Sequence, residues 1–145
     1  MIKKKIVTIV GAGVIGAGWA ARMLACGLIV NAYDPSVKAR KQLLSNTKTA
    51  LKSLQRLGLN KNAKLSNLKI YSELRESLHS TTFVQENAPE NEKLKKKLLK
   101  DIDKSLPKNI IIASSSSGLL PTRIQSLCTY PERVCIGHPF NPVYL

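Results

Sequence analysis

With 145 residues, 43% of them hydrophobic, the chain is long enough for one domain with its own buried core. No run approaches the roughly 18 apolar residues that a membrane-spanning helix needs, and the basic opening Met1-Ile2-Lys3-Lys4-Lys5 leads into an apolar run only a strand long, so no signal peptide is expected. The formal charge of +14 raises the question of an anionic partner, while three cysteines (Cys26, Cys128, Cys135), odd in number and without metal spacing, fit small buried residues in a reducing cytoplasm and no metal site.

The first element carries the strongest signal. A β-branched run over residues 5–10 predicts a strand and meets Gly11-Ala12-Gly13-Val14-Ile15-Gly16, a G-x-G-x-x-G. Residues 14–26 are apolar and alanine-rich, close at Gly27, and read as a helix. A second strand over 28–33 then delivers Asp34, eighteen positions after Gly16. Each part has a mechanical role in holding a dinucleotide. Gly11 permits the tight turn, Gly13 lets backbone approach a pyrophosphate, and Gly16 lets the helix lie close to the sheet. The helix N-terminus, at Val14 and Ile15, offers unpaired N–H groups to phosphate. Asp34 can accept hydrogen bonds from the adenosine ribose hydroxyls, and its charge would repel a 2′-phosphate, which favours NAD over NADP.

Pro35 is placed where a helix can begin. Leu43/Leu44, Thr47, Ala50/Leu51, Leu54 and Leu57 recur at helical spacing, and Gly58 ends the run. A polar loop over 60–67 precedes a short strand at 68–71 and a brief helix at 73–78. Residues 81–86 predict a buried strand that brings Glu86 to the sheet's carboxyl edge. Pro89 and Glu90 open a further helix in which Leu94, Leu98 and Ile102 face inward while Lys95, Lys96, Lys97 and Lys100 are solvated. A strand at 110–113 leads into Ser114 to Ser117. A short helix over 121–127 and a last strand over 133–136 follow, and the chain closes on Gly137-His138-Pro139-Phe140-Asn141-Pro142-Val143-Tyr144-Leu145. Strands alternating with helices predict an α/β fold, a Rossmann-type doubly wound, mainly parallel sheet. Ligands bind beyond the carboxyl ends of such strands, which gathers residues 11–16, Asp34, Glu86, Ser114–Ser117 and His138 along one rim.

Between Asp34 and Glu73 there is no acidic residue, while Lys38, Arg40, Lys41, Lys48, Lys52, Arg56, Lys61, Lys64 and Lys69 accumulate. These residues fall opposite the apolar positions, and no aromatic is interleaved to stack on bases. Solvated faces are the expectation, attraction of anionic ligands a second reading, and nucleic-acid binding the weakest. Of the two histidines, His79 sits in a polar turn. His138 follows a strand and precedes a rigid Pro-Phe-Asn-Pro, where an imidazole can take a proton from a hydroxyl near neutral pH.

The segments 11–21, 84–90 (Val-Gln-Glu-Asn-Ala-Pro-Glu), 113–121 (Ala-Ser-Ser-Ser-Ser-Gly-Leu-Leu-Pro) and 137–145 together resemble the L-3-hydroxyacyl-CoA dehydrogenase superfamily, and within it the carnitine 3-dehydrogenase branch. The L-gulonate 3-dehydrogenase (lambda-crystallin) branch shares the Gln-Glu-x-x-Pro-Glu pattern but differs in the serine and His-Pro motifs. The resemblance implies NAD as hydride acceptor, His138 as base, Ser117 and Asn141 as ligands of the substrate oxygen, and Glu86 and Ser114 beside the nicotinamide end of the cofactor. The substrate it implies is a small molecule, carnitine or another 3-hydroxy acid. Relatives carry a glutamate that pairs with the catalytic histidine beyond this tyrosine-leucine, and then a helical second domain with the dimer interface. Residues 1–145 are therefore expected to be the NAD-binding domain, truncated at its C-terminal end: either the cofactor half of an enzyme or a module that holds NAD without turnover, with a homodimer or a missing C-terminal domain as its protein partner.

Overall fold

The computed structural model describes residues 5–145; the reading of the basic opening as no leader rests largely on residues 1–4, which lie outside that range. Six strands form one all-parallel sheet: β1 (Ile6–Val10), β2 (Ile29–Tyr33), β3 (Leu68–Tyr71), β4 (Phe83–Glu86), β5 (Ile111–Ser114) and β6 (Val134–Ile136), in the order β3-β2-β1-β4-β5-β6. Chain order reverses between β1 and β4, so the connections leave that point in opposite directions and open a crevice above the strand ends. The doubly wound sheet expected from the pattern is the one observed.

The strands are near-continuous apolar runs because both faces are covered. On one face Val7, Ile9, Val30 and Ala32 pack with Ala17, Ala20 and Leu24 of α1 (Val14–Ala25) and Leu43 of α2 (Val37–Leu54). On the other, Val10, Val84, Ile112 and Val134 pack with Leu78, which ends α3 (Leu74–Ser77), with Leu99 and Ile102 of α4 (Glu92–Ser105), and with Ile124 of α5 (Pro121–Ile124). Helix α1 is rich in alanine and glycine because it is squeezed from two sides: beyond its sheet-facing stripe, Ala21 and Ala25 meet Ala50 and Leu54 of α2. Two of the buried polar residues in the strands, Thr8 and Asn31, share one acceptor. The Thr8 hydroxyl and the Asn31 amide each donate to the Ser77 carbonyl at 2.9 Å.

Several element boundaries move for identifiable reasons. Helix α2 starts at Val37, not Pro35, because Ser36 is its cap and accepts from the Ala39 amide at 3.3 Å. Of its expected inner positions Leu43, Thr47, Ala50 and Leu54 are buried, whereas Leu44 and Leu57 are exposed. Strand β4 begins at Phe83, since the amide and hydroxyl of Thr82 both turn to the Ile6 carbonyl. Helix α4 is capped by Asn91, whose side chain accepts from the Leu94 amide at 2.9 Å. Helix α5 stops at Ile124, short of the expected 127. Arg133 lies outside β6, ending a 3₁₀ turn (Pro131–Arg133), and forms a buried ion pair with Asp103 at 2.6 Å.

Two larger corrections concern side chains. Lys95 is not solvated: it shares the inward stripe of α4 with Leu99 and Ile102 and is 1% exposed. Nor are the thiols uniformly buried. Cys26 and Cys135 are exposed, and only Cys128 is partly covered. Burial, reinforced by the Asp103 carboxylate and only partly offset by Arg133, pushes the Cys128 thiol up to about 11. At pH 8, Cys26 and Cys135 are therefore expected to react with a thiol reagent at least about tenfold faster than Cys128. Three equal rates in a mass-resolved time course would contradict this placement.

Candidate functional site

The glycine turn leaves β1 at Val10 and enters α1 at Val14. Gly11 has φ +97°, a conformation natural to glycine, and any side chain there would meet the Asn87 carbonyl. A Cβ at Gly16 would fall 1.9 Å from the Gly11 carbonyl oxygen, so this glycine makes room first for the turn itself and only then for the sheet, with Ile9 Cγ2 at 3.4 Å. Around Gly13 the space is open, as a bare-backbone approach by phosphate requires. Helix α1 has no side-chain cap and no acidic residue in its first turn, so its own sequence leaves its N-terminal amides open toward the rim.

Asp34 lies beside this turn. Its Oδ2 accepts the Ala12 amide and its Oδ1 the Ser36 amide, both at 2.8 Å. Each carboxylate oxygen has capacity for a further donor. Ala12 is itself buried and its amide faces Asp34, so its part is to fix the turn; Gly13 and Val14 form the exposed surface. The Arg40 guanidinium caps the same corner, donating to the Asp34 and Pro35 carbonyls at 2.6 and 3.0 Å.

Across the switch point a cavity of about 430 Å³ is lined by Ile15, Asn87, Ala88, Glu90, Ser115, Ser117, His138, Pro139, Phe140 and Asn141. It unites the three residues expected to handle substrate: Ser117, His138 and Asn141. The Gly137 backbone fixes the approach to His138, its amide donating to the Ser114 carbonyl at 2.8 Å and its carbonyl accepting from Gln85 Nε2 at 3.1 Å. The His138 and Phe140 rings meet edge to face at 5.9 Å between centroids, and Phe140 is 87% exposed. The last residues return over α1, where Val143 fills the space left by Gly18 and Tyr144 joins the Ala21–Ala50 contact.

Glu86 and Ser114 are corrected. Both are fully buried, and neither side chain can touch a cofactor. Ser114 Oγ donates to Glu86 Oε2, and Lys95 Nζ lies 2.8 and 2.9 Å from the two carboxylate oxygens. The acidic residue that does face the cavity is Glu90. Its Oε1 accepts from Ser116 Oγ at 2.5 Å and from the Ser117 and Gly118 amides at 3.1 Å each. Burial opposes charge on Glu90, but the Ser116 and Gly118 hydrogen bonds, the Lys95 ammonium and the Ser117 amide outweigh it and hold the carboxyl below the ordinary glutamate range. In the sequence Glu90 enters as the opening of a helix and as the last residue of the Gln-Glu-x-x-Pro-Glu pattern, not as a site residue. The available signal was a run of serine and glycine donors on the next strand's exit with an acid four residues past the neighbouring strand. Ser115, expected on the rim only as part of the serine run, accepts from Gln85 at 2.9 Å and Trp19 at 3.3 Å and donates to Asn87 at 2.7 Å.

With this geometry in place, the 3-hydroxyacyl-CoA dehydrogenase, NAD binding domain family matches residues 6–145. The chain belongs to that family. It is 47% identical over 136 residues to an L-carnitine dehydrogenase of Burkholderia mallei, covering 94% of this chain and 42% of that protein. The solved structure of an NAD-dependent dismutase, 5-formyl-3-hydroxy-2-methylpyridine-4-carboxylic acid 5-dehydrogenase, superposes with a TM-score of 0.89 at 30% identity, covering 98% of this chain and 46% of that one. For (S)-3-hydroxybutyryl-CoA dehydrogenase of Ralstonia eutropha the TM-score is 0.85 at 33% identity, covering 97% and 51%. The chain thus spans about half the length of the proteins it matches. The NAD expectation agrees with the family, and the glycine turn, the uncapped α1 and Asp34 fit that cofactor. No helix among the described residues is long and apolar enough to cross a membrane.

The lowered Glu90 pKa has a signed consequence. A carboxyl depressed in the fold stabilises it fully above the ordinary value of 4.5, and that contribution is lost as pH falls through the folded value. Trp19, the sole tryptophan, bonds Ser115 and reports on the serine loop. Its emission is expected to hold steady from pH 7 to below 4.5 in the wild type, and to differ already at pH 7 in Glu90→Gln. Identical profiles would remove Glu90 from the loop's support.

Proposed function

We propose that this chain is the NAD-holding half of a 3-hydroxy acid dehydrogenase, and that the completed enzyme oxidises the 3-hydroxyl of L-carnitine to 3-dehydrocarnitine. The observation that carries this reading is the convergence of His138, Ser117 and Asn141 on one cavity beside the glycine turn. In the cofactor's grip, the N-terminal amides of α1 face the pyrophosphate and Asp34 accepts the adenosine ribose hydroxyls with its remaining lone pairs. When bound, NAD supplies the hydride acceptor. His138 removes the hydroxyl proton as general base, while Ser117 and Asn141 hold the substrate oxygen in line. The exposed Phe140 ring next to the base offers a π-face to a quaternary ammonium group, which distinguishes carnitine from an acyl-CoA substrate. The three thiols, unpaired among the described residues, suit a reducing cytoplasm.

The substrate reading leans on the carnitine dehydrogenase relative, and the similarity to a hydroxybutyryl-CoA dehydrogenase keeps acyl-CoA as its main competitor. A second reading, a module that binds NAD and turns nothing over, is favoured for residues 1–145 alone, because they span less than half of that carnitine dehydrogenase. Two outcomes are expected. The chain alone binds NADH at least about tenfold more tightly than NADPH, a difference of about 1.4 kcal/mol, and Asp34→Ala abolishes the preference. Fused to the C-terminal half of a carnitine dehydrogenase, it reduces NAD with L-carnitine, and Phe140→Ala raises KM for carnitine. Turnover with gulonate or 3-hydroxybutyryl-CoA but not carnitine would sink the substrate assignment.

A further inference from the structure

One buried polar side chain in the middle of the sheet has no part in the chemistry above. Gln85 continues a row across the strands whose neighbouring members, Ala32, Ile9 and Ala113, are apolar and buried, and it is itself 1% exposed. An apolar residue would pack in that row, so the sheet alone does not call for an amide. Both donors of the amide are nonetheless used at the strand exits. Nε2 donates to Ser115 Oγ at 2.9 Å and to the Gly137 carbonyl at 3.1 Å. A closed ring of bonds holds the amide in turn: Ser115 Oγ donates to Asn87 Oδ1 at 2.7 Å, and Asn87 Nδ2 donates back to the Gln85 carbonyl at 3.0 Å. Trp19 of α1 braces the ring from outside, its Nε1 donating to Ser115 Oγ at 3.3 Å.

The Gly137 carbonyl belongs to the same peptide group as the His138 amide. That group is planar, so a bond to its carbonyl sets the plane from which the His138 side chain leaves the chain. The Gly137 amide is already fixed by the Ser114 carbonyl at 2.8 Å. Glycine permits the close approach, since a Cβ at 137 would lie 3.1 Å from Ala113 Cβ and 3.3 Å from Gln85 Oε1. We propose that Gln85 is a positioning residue for the base. Acting through the 137–138 peptide, it aims the imidazole into the cavity, and through Ser115 it ties that aim to the loop that carries Ser117. This inference rests on the reading of His138 as the base.

The test compares wild-type residues 1–145 with three variants. Gln85→Met keeps the side-chain length and removes both donors, and Gly137→Ala presses a methyl group against the same amide. Ile102→Val, a core change on the opposite face of the sheet, controls for lost stability alone. Circular dichroism and thermal midpoint report the fold. Nuclear magnetic resonance of the two histidines reports placement, with His79, in the turn after α3, as the internal reference. Gln85→Met and Gly137→Ala are expected to keep the wild-type circular dichroism, to shift the amide and ring signals of His138, whose ring meets Phe140, and to leave those of His79 in place. Ile102→Val is expected to lower the midpoint and move neither histidine. Fused to the C-terminal half of a carnitine dehydrogenase, Gln85→Met is expected to lower kcat at least about tenfold with KM for NAD unchanged. A folded Gln85→Met chain with wild-type His138 signals overturns the proposal, and so does a wild-type kcat in its fusion. A Gln85→Met chain that fails to fold overturns it too, since the amide would then serve the fold and not the base. Wild-type turnover by a His138→Ala fusion, or no turnover by the unaltered one, overturns the reading of the base and this inference with it.

Discussion

The site depends on one contact across the β1–β2 crossover: the Asp34 carboxylate accepting the Ala12 amide at 2.8 Å. The backbone ladder continues past the strand ends into the same corner, with the Gly11 amide donating to the Tyr33 carbonyl at 2.8 Å. Together these bonds hold the glycine turn against the exit of β2. The uncapped α1 amides and the Asp34 carboxylate are then fixed relative to each other before any ligand arrives. A charge-assisted bond to backbone is stronger than a neutral one, and binding to a preformed cradle avoids part of the ordering cost. The rest of the rim is placed from this corner outward, β4, β5 and β6 adding Glu90, the serine loop and His138 in sheet order.

Two buried ion pairs hold the half of the sheet that lacks a glycine turn. Glu86–Lys95 sits at the carboxyl end of the strands, under the loops that line the cavity. Asp103–Arg133 sits at the opposite end, joining the close of α4 to the start of β6; Arg133 also reaches the Pro107 carbonyl, and Asp103 accepts the Thr129 amide at 2.6 Å. Breaking a buried pair by deleting one partner costs about 3–5 kcal/mol, a large fraction of a domain's stability. The second pair is far from the chemistry and ties α4 to the strand that presents His138.

The parts of this arrangement that are local in the chain were legible in the sequence. Gly11, Gly13, Gly16 and Asp34 announce their roles through spacing, because turn, helix start and strand exit are each a few residues long. Strand β3 was placed to the residue, and the other strands within one or two residues at each end. Cap identity decided the helix starts: Ser36 and Asn91 each hold a helix away from the proline just upstream, and a side-chain bond across three residues outweighs the preference for proline in the first turn. What the sequence hid was partnership across the sheet. Lys95 looks like its neighbours Lys96 and Lys97 until β4 brings Glu86 beneath it, and Glu86 looks like a rim residue until Lys95 and Ser114 seal it from above. The exchange of Glu86 for Glu90 as the acid in the cavity follows from that burial. The basic residues of α2 from Lys38 to Lys52 project into solvent as expected, apart from the half-buried Arg40, which is held by the Asp34 and Pro35 carbonyls.

The central claim is that a dinucleotide lies across the strand tips with its diphosphate on the glycine turn. Amide chemical shifts of the isotopically labelled chain, followed as NAD is added, test it residue by residue. The account predicts saturable shifts concentrated at Gly13, Val14, Ile15, Asp34, Asn87, Ala88 and Ser117. Shifts confined to the lysine-rich face of α2, or none at ligand concentrations that saturate ordinary dehydrogenases, would contradict it.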